Sequence, residues 1–347
     1  MLREINVQTL TWADKTMSVL RTRQLEACEA RVDALPAFGL FSGCDDTRVE
    51  QLWRLSYDAQ EHPLCRRLHT ASALVTQVMI QLPAEAVLLS AQEDMLLDRL
   101  LSLGGAVPLM DWDELDAAES LVRRLWCVMR KQDDHILLML PEELRTPLLL
   151  ITTSRAHQEL RAAMESFHAK IRAMLYLGGM LKVDVPLSLL RDTVLQGTYA
   201  DDETLALRYL RTAFDCTYDS HGEMLLLHPG LAEPERLMKQ VPVSPEMVRT
   251  MDRQVLRQAA MGLLDEERPL YEMMAGLLSA AVRPEIGVEE AVEDLRMLAK
   301  QGVSPQEMDE VLSSLLIMQP TDAMRSGARL LLQMTPRWGT KPSGMVQ

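Results

Sequence analysis

The sequence predicts a mainly α-helical protein, and three observations support this fold class. Leu, Ala, Glu, Met and Arg dominate the 347 residues, and all five have high helix propensity. Methionine is abundant (23) and phenylalanine is scarce (4), so flexible unbranched side chains fill the cores. Apolar residues recur at the helical period of 3.6 along most of the chain, and period-2 alternation is rare. The length predicts two or three domains.

Residues 1–140 are predicted to form an N-terminal helical domain. Apolar stripes indicate helices over 17–35 and 46–59, and then helices that begin at Pro63 and at Pro83. Gly104 and Gly105 are typical of a helix end. A further helix is predicted over 112–131, because its acidic residues come early and its basic residues late, as the helix dipole favours.

Residues 141–240 are predicted to contain a long helix followed by a small mixed segment. The long helix runs from 141 to 179 with a break near 152–154. Two short helices follow over 185–195 and 202–214, and 215–228 is the best hairpin candidate in the chain. Helix, helix and hairpin in this order resemble a winged helix.

Residues 241–335 are predicted to form a C-terminal helical module, with helices over 265–283, 288–301, 304–318 and 321–334. Gly302 stands where a C-cap glycine belongs. Ser304 and Glu307 form a capping-box pattern around Pro305. The tail 336–347 is rich in Gly, Pro and Ser and is predicted to be disordered.

This C-terminal series resembles the helical repeat of carboxymuconolactone decarboxylases and alkylhydroperoxidase-D-like proteins. The resemblance rests on the residues that start and end helices and on the apolar spacing in segments 264–270, 291–300, 302–308, 311–316 and 320–324. That family carries Cys-x-x-Cys-x-x-x-His on its second helix. With Gly302 as the anchor, these catalytic positions fall on Gly287, Glu290 and Asp294. No cysteine follows Cys216, so the resemblance implies a helical, often oligomer-forming scaffold without thiol chemistry.

One cluster has spacing suited to metal ligands. His62, Cys65 and His69 are separated by helical intervals, but Arg66 and Arg67 between them raise the local positive charge. A core role for Cys65 is favoured, and we expect no metal and no cofactor. The five cysteines are odd in number, widely spaced and without a Cys-x-x-Cys pair, which indicates free thiols in a reducing compartment.

The net charge of the chain limits the classes of partner that it is expected to bind. The net charge of −14 opposes non-specific binding to nucleic acid or anionic membranes. The would-be recognition helix over 201–214 offers Arg208 and Arg211 against three acidic residues at its start. No apolar run is long enough to span a bilayer, and no secretory signal is evident at the start of the sequence, so we expect a cytoplasmic protein.

The residues best suited to a partner are acidic or aromatic. An acidic run without any base, together with two tryptophans in terminal segments, gives the candidate partner-binding set: Glu285, Glu289, Glu290, Glu293, Asp294, Trp12 and Trp338. The leading hypothesis is a non-enzymatic protein–protein interaction protein, an adaptor or subunit of an assembly, whose candidate partners are other proteins and a second copy of the chain. One alternative is a winged-helix regulator that contacts nucleic acid. Another is an enzyme of the decarboxylase-like fold that uses the acidic cluster.

Overall fold

A computed structural model describes residues 71–109, 112–132, 135–195, 203–231, 234–238, 252–284 and 286–339. The protein is mainly helical, as predicted, with small antiparallel sheets of three strands. The helices predicted over 17–35 and 46–59 lie outside the described residues. In the described part of the chain, no helix combines the length and the apolar character needed to cross a membrane.

The chain divides into two compact units. Unit 1 takes in the described residues of Gln24–His168 and Leu187–Phe214, and unit 2 those of Ala169–Pro186 and Asp215–Gln347. The division differs from the predicted boundaries at 140 and 240. The two units are not consecutive stretches of the chain, because one long helix contributes its first part to unit 1 and its second part to unit 2.

Unit 1 is built from helices around a three-stranded antiparallel sheet of order β1-β3-β2. Its elements are α1 (Ala71–Glu85), α2 (Ala91–Ser102), β1 (Ala106–Pro108), α3 (Trp112–Arg123), β2 (Val128–Gln132), β3 (His135–Met139), α4 (Glu142–Thr152), the start of α5 (Arg155–Gly178), most of α6 (Asp184–Thr193), and α7 (Glu203–Ala213). The break predicted near 152–154 separates α4 from α5. Pro83 lies inside α1 rather than starting a helix, because the capping box of Ser90 and Glu93 starts the next one.

The helix predicted over 112–131 is wrong in its second half, where the chain forms β2. Helix α3 ends in a Schellman arrangement, in which Trp126 N donates to Leu121 O and Leu125 N donates to Val122 O. Leu125 occupies the left-handed position with φ of 63°, where glycine is usual. Its side chain is buried, so core packing offsets a backbone cost of about 1–2 kcal/mol.

Unit 2 combines a second sheet with a helical bundle. Its elements are the end of α5, β4 (Met180–Lys182), β5 (Asp215–Tyr218), β6 (Met224–Leu227), α8 (Pro234–Leu237), α9 (Arg253–Ala260), α10 (Arg268–Leu278), α11 (Val288–Gln301), α12 (Pro305–Leu315) and α13 (Asp322–Met334). The sheet order is β4-β6-β5, and β5 with β6 forms the predicted hairpin.

Helices α10–α13 form the predicted C-terminal bundle, which we call the four-helix module. Gly302 ends α11 in the left-handed conformation, and Ser304 with Glu307 starts α12 through a capping box, both as predicted. The apolar stripes of α11 and α12, including Leu295 and Leu312, bury against one another and against α10 and α13. The stripes therefore fill the module's own core, and burying them requires no second chain.

The two sheets belong to an internal repeat. Segment 91–141 runs helix, strand, helix, strand, strand; segment 155–229 runs helix, strand, helix, helix, strand, strand, and both sheets have the order first-third-second. Two adjacent glycines mark the end of each first helix, Gly104 and Gly105 in the first segment and Gly178 and Gly179 in the second. The last strand of each segment is followed by one residue and then a proline. Leu140 N donates to Gly105 O at 2.7 Å, and His228 N donates to Gly179 O at 2.8 Å.

A second matched pair of hydrogen bonds confirms the register of the repeat. Leu109 N donates to Ile136 O at 3.0 Å, and Val183 N donates to Met224 O at 3.1 Å. Gly105 and Leu109 precede their equivalents, Gly179 and Val183, by the same number of residues. Ile136 and Leu140 likewise precede Met224 and His228 by one common number of residues. The two segments thus share one backbone plan and differ by one helix between the first and second strands.

Candidate functional site

The predicted acidic edge lies on α11, but its members face different surroundings. Glu289 is exposed. Glu290 accepts a hydrogen bond from Gly287 N at 3.2 Å and so caps the helix. Glu293 is half-buried and paired with Arg296, and Asp294 is buried. The three positions that match the family's catalytic residues therefore serve as helix cap and core.

The remaining predicted site residues are divided between the described and undescribed parts of the chain. Trp12, Glu285, and the cluster of His62, Cys65 and His69 lie outside the described residues. Within the residues that the structure describes, no group of three or more His, Cys, Asp or Glu side chains is placed to hold a metal ion.

Trp338 does not present its side chain to a partner, contrary to the prediction. Its side chain is 2% exposed and belongs to the core of unit 2, where the indole N–H donates to Tyr176 O at 2.8 Å. Its backbone N–H donates to Lys300 O at 2.8 Å. The first residues of the predicted disordered tail therefore lie against the core. Burying a large aromatic ring whose N–H has a hydrogen-bond acceptor stabilises this arrangement.

A buried ionic network lies beneath the acidic edge, and we call Glu267, Arg296, Lys300 and Tyr176 the Glu267 cluster. Lys300 Nζ lies 2.6 Å from one carboxylate oxygen of Glu267, and Arg296 Nη1 lies 3.0 Å from the other. The Tyr176 hydroxyl donates to the same carboxylate and accepts from Arg296. Lys300 Nζ also lies 4.1 Å from the centre of the Tyr176 ring.

The electrostatics of the Glu267 cluster favour the ionised carboxylate. Burial raises the pKa of Glu267, but Lys300 and then Tyr176 and Arg296 outweigh burial and hold that pKa below its usual value. Burial raises the pKa of the Tyr176 hydroxyl. Burial also lowers the pKa of Lys300, although the Glu267 carboxylate opposes that shift. The Glu267 carboxylate and the Tyr176 hydroxyl are thus each held in one protonation state, as charged acceptor and neutral donor.

Helix α7, the counterpart of a recognition helix, is largely buried. Only Glu203 and Thr204 of its residues are exposed. Arg208 is 5% exposed and lies 2.7 Å from Glu85, so it serves a buried ion pair instead of a phosphate contact. Helix α3, its counterpart in the first segment, packs against α7, and Arg123 donates to Phe214 O at 3.0 Å. Neither helix offers the basic face that nucleic-acid recognition needs.

A second buried network, which the sequence analysis missed, lies in unit 1. We call Glu93, Arg124 and Ser120 the Arg124 cluster. Arg124 Nη2 lies 3.1 Å from Glu93 Oε1, and Ser120 Oγ donates to the same oxygen at 2.6 Å. The guanidinium also lies over the rings of Trp126 and Tyr209 at 5.3 and 5.2 Å. The Ser-x-x-Glu pattern at residue 90 could have located Glu93, but not its partner.

The Arg124 cluster likewise keeps its carboxylate ionised. Burial raises the pKa of Glu93, but Arg124 and hydrogen bonds from Ser120 and Ser90 outweigh burial, so the pKa lies below its usual value. Glu85 shows the opposite balance, because burial raises its pKa more than Arg208 and Arg124 lower it.

Comparison with known proteins adds no assignment: no protein-family model matches this chain, and neither a curated protein nor a solved structure matches it. The resemblance of the four-helix module to carboxymuconolactone decarboxylase-like repeats therefore stays a prediction.

Proposed function

We propose that this chain is a non-enzymatic protein-binding subunit or adaptor whose four-helix module carries the docking surface. The observation that supports the proposal is the pattern of large apolar side chains on the outside of that module. Ile317 and Met318, which follow α12, are 61% and 56% exposed. Leu330 and Met334, one turn apart on α13, are 39% and 62% exposed.

These four side chains are notable because they come as two pairs of neighbours, one pair after α12 and one pair on α13. Single exposed apolar residues are ordinary on soluble proteins, whereas adjacent ones form patches that favour partner contact. The four-helix module has a buried apolar core to which these side chains do not belong. Their exposure is therefore a feature of the module's surface. Methionine suits such a surface because its flexible side chain adapts to the partner.

We expect the double variant Ile317→Ser/Met318→Ser to lose partner capture without losing stability. Neither side chain is buried, so the thermal midpoint should stay within a degree or two of wild type. The measurement is co-purification of proteins from native lysate with immobilised wild-type or variant chain. Met261→Ser, which changes a 71%-exposed methionine elsewhere in unit 2, is the matched control. Equal capture by the double variant and wild type would contradict the proposed surface.

A separate expectation concerns Glu289, the exposed member of the acidic edge. If the partner surface is basic, Glu289→Lys should weaken capture several-fold at low salt and less at high salt, because rim charges act mainly on association. Glu310→Lys, on the exposed side of α12, is the control. Capture that is insensitive to Glu289→Lys at every salt concentration would remove the acidic edge from the docking surface.

A further inference from the structure

The outer side of α13 carries one acidic and one basic side chain that form no ion pair with any residue of the described chain. Asp322 lies in the first turn and Arg329 lies two turns later, and both are exposed. A spacing of seven residues places them on the same side of the helix, about 10 Å apart along its axis. The helix therefore presents two opposite charges that the described chain leaves uncompensated.

The two exposed apolar pairs lie at opposite ends of the same helix. Ile317 and Met318 come just before α13, and Ile317 N donates to Ala281 O at 2.9 Å, which holds this segment against the end of α10. Leu330 and Met334 lie in the last turns of α13. Helix α13 has 13 residues, so about 20 Å separates the two pairs. One apolar pair thus lies towards the acidic end of the helix and the other towards the basic end.

The middle of the outer side of α13 is small and uncharged. Ala323 and Ser326 are exposed there, whereas the guanidinium of Arg325 is directed to α12, where it lies 3.9 Å from Asp309. Small side chains at the middle of a helix allow a second helix to approach closely. On the buried side, Gly327 lies so close to α10 that a Cβ atom there would collide with it. The outer side therefore belongs to a helix that is firmly packed in the four-helix module.

We propose that a second copy of the chain docks on the outer side of α13, with the two α13 helices antiparallel about a twofold axis. In such a contact, every pair of unlike residues is formed twice. The register that sets Asp322 of one copy against Arg329 of the other therefore forms both ion pairs. Ile317 precedes Asp322 by as many residues as Met334 follows Arg329. The same register thus brings the two apolar ends together as well.

This inference deepens the proposed function, on which it rests, by naming the partner. The outer side of α13 is complementary to itself in the order of both its charges and its apolar groups, which favours a second copy over a different protein. The contact extends over about 3–4 helical turns, which is less surface than a permanent dimer buries. We therefore expect a weak, reversible dimer with a dissociation constant in the micromolar range.

The test is sedimentation equilibrium of the full-length chain and its charge variants. Asp322→Arg or Arg329→Asp alone should weaken dimerisation by about tenfold or more, because each interface then holds two like-charged contacts. The double variant Asp322→Arg/Arg329→Asp should dimerise as wild type does, since exchanging both charges in one chain recreates both ion pairs. A partner of different sequence cannot give this rescue. Glu310→Arg, on the exposed side of α12, is the control and should leave the equilibrium unchanged.

Three outcomes would overturn the dimer: a chain that stays monomeric at hundreds of micromolar, a dimer insensitive to both reversals, or a double variant that dimerises no better than the single ones. Circular dichroism at low concentration checks that each variant is folded. If a reversal prevents folding, the neutral variants Asp322→Asn and Arg329→Gln replace it, and each should weaken the dimer. A monomeric chain that captures another protein through Ile317 and Met318 contradicts this inference alone, whereas a chain that neither dimerises nor captures contradicts the proposed function too.

Discussion

Glu267→Gln is expected to lower the free energy of unfolding by about 3–5 kcal/mol, because it leaves buried Lys300 without its carboxylate and leaves buried Arg296 with Glu293 alone. The Arg296 and Lys300 side chains are each 2% exposed, so water cannot replace the lost charge. The measurement is urea unfolding followed by circular dichroism, with Glu266→Gln on the exposed neighbouring position as the control.

The same variant has a characteristic pH dependence. The pKa of Glu267 is lower in the folded chain than in the unfolded chain, so its contribution is complete above the usual carboxyl pKa and is lost as pH falls through the folded value. Glu267→Gln should therefore flatten the acid limb of the stability curve. Adding Lys300→Met to Glu267→Gln should cost less than the sum of the two single changes. Strict additivity would contradict the network.

Arg124→Ala is expected to have a comparable effect, about 3–5 kcal/mol, on the stability of unit 1. The change removes the partner of buried Glu93 and the hydrogen bond to Leu88 O at 3.1 Å, and it also removes the contacts with two aromatic rings. The measurement is again the free energy of unfolding.

Arg155→Ala supplies a sharp control for this prediction. Arg155 also pairs with a glutamate, Glu159 at 2.6 Å, but its side chain is 90% exposed. Exposed ion pairs contribute little, so this variant should be indistinguishable from wild type. Equal effects of Arg124→Ala and Arg155→Ala would show that burial does not control the strength of these pairs.

The elements that the sequence predicted well are those with local signals. The capping box at Ser304, the C-cap at Gly302 and the periodic apolar stripes defined α11 and the start of α12 closely, because each signal acts within one or two turns. The predicted end of α12 at 318 is wrong, since the helix ends at Leu315. Strand β2 was missed because α3 ends at Arg123 and the left-handed position after it is filled by Leu125, a residue that carries no stop signal. The chain ends α3 there for reasons of core packing, which single-sequence periodicity does not register.

The candidate site was predicted less well, since charge alone does not reveal burial. The acidic run on α11 was correctly placed on one helix, but Glu290 and Asp294 take structural roles that depend on backbone geometry and on partners distant in sequence. The internal repeat did leave a signal: Leu-x-Leu-Gly-Gly occurs at 101–105 and again at 175–179. From the sequence alone, each copy predicts only a helix end, because the strand that follows it has three residues and gives no periodic signal.

The second glycine of each repeated segment lies in a corner that another side chain closes: Arg145 closes the first corner, at Gly105, and Trp338 closes the second, at Gly179. The two corners imply a different order of folding. Arg145 reaches the first corner from nearby in the chain, so closing it costs little loop entropy. The indole of Trp338 must find a carbonyl 162 residues away, and the four-helix module intervenes. Because non-local contacts form late, the first corner should acquire protected amides early in refolding, and the second only after α10–α13 have assembled. We therefore expect the contact between Trp338 and Tyr176 to be among the last to form in the described core of unit 2.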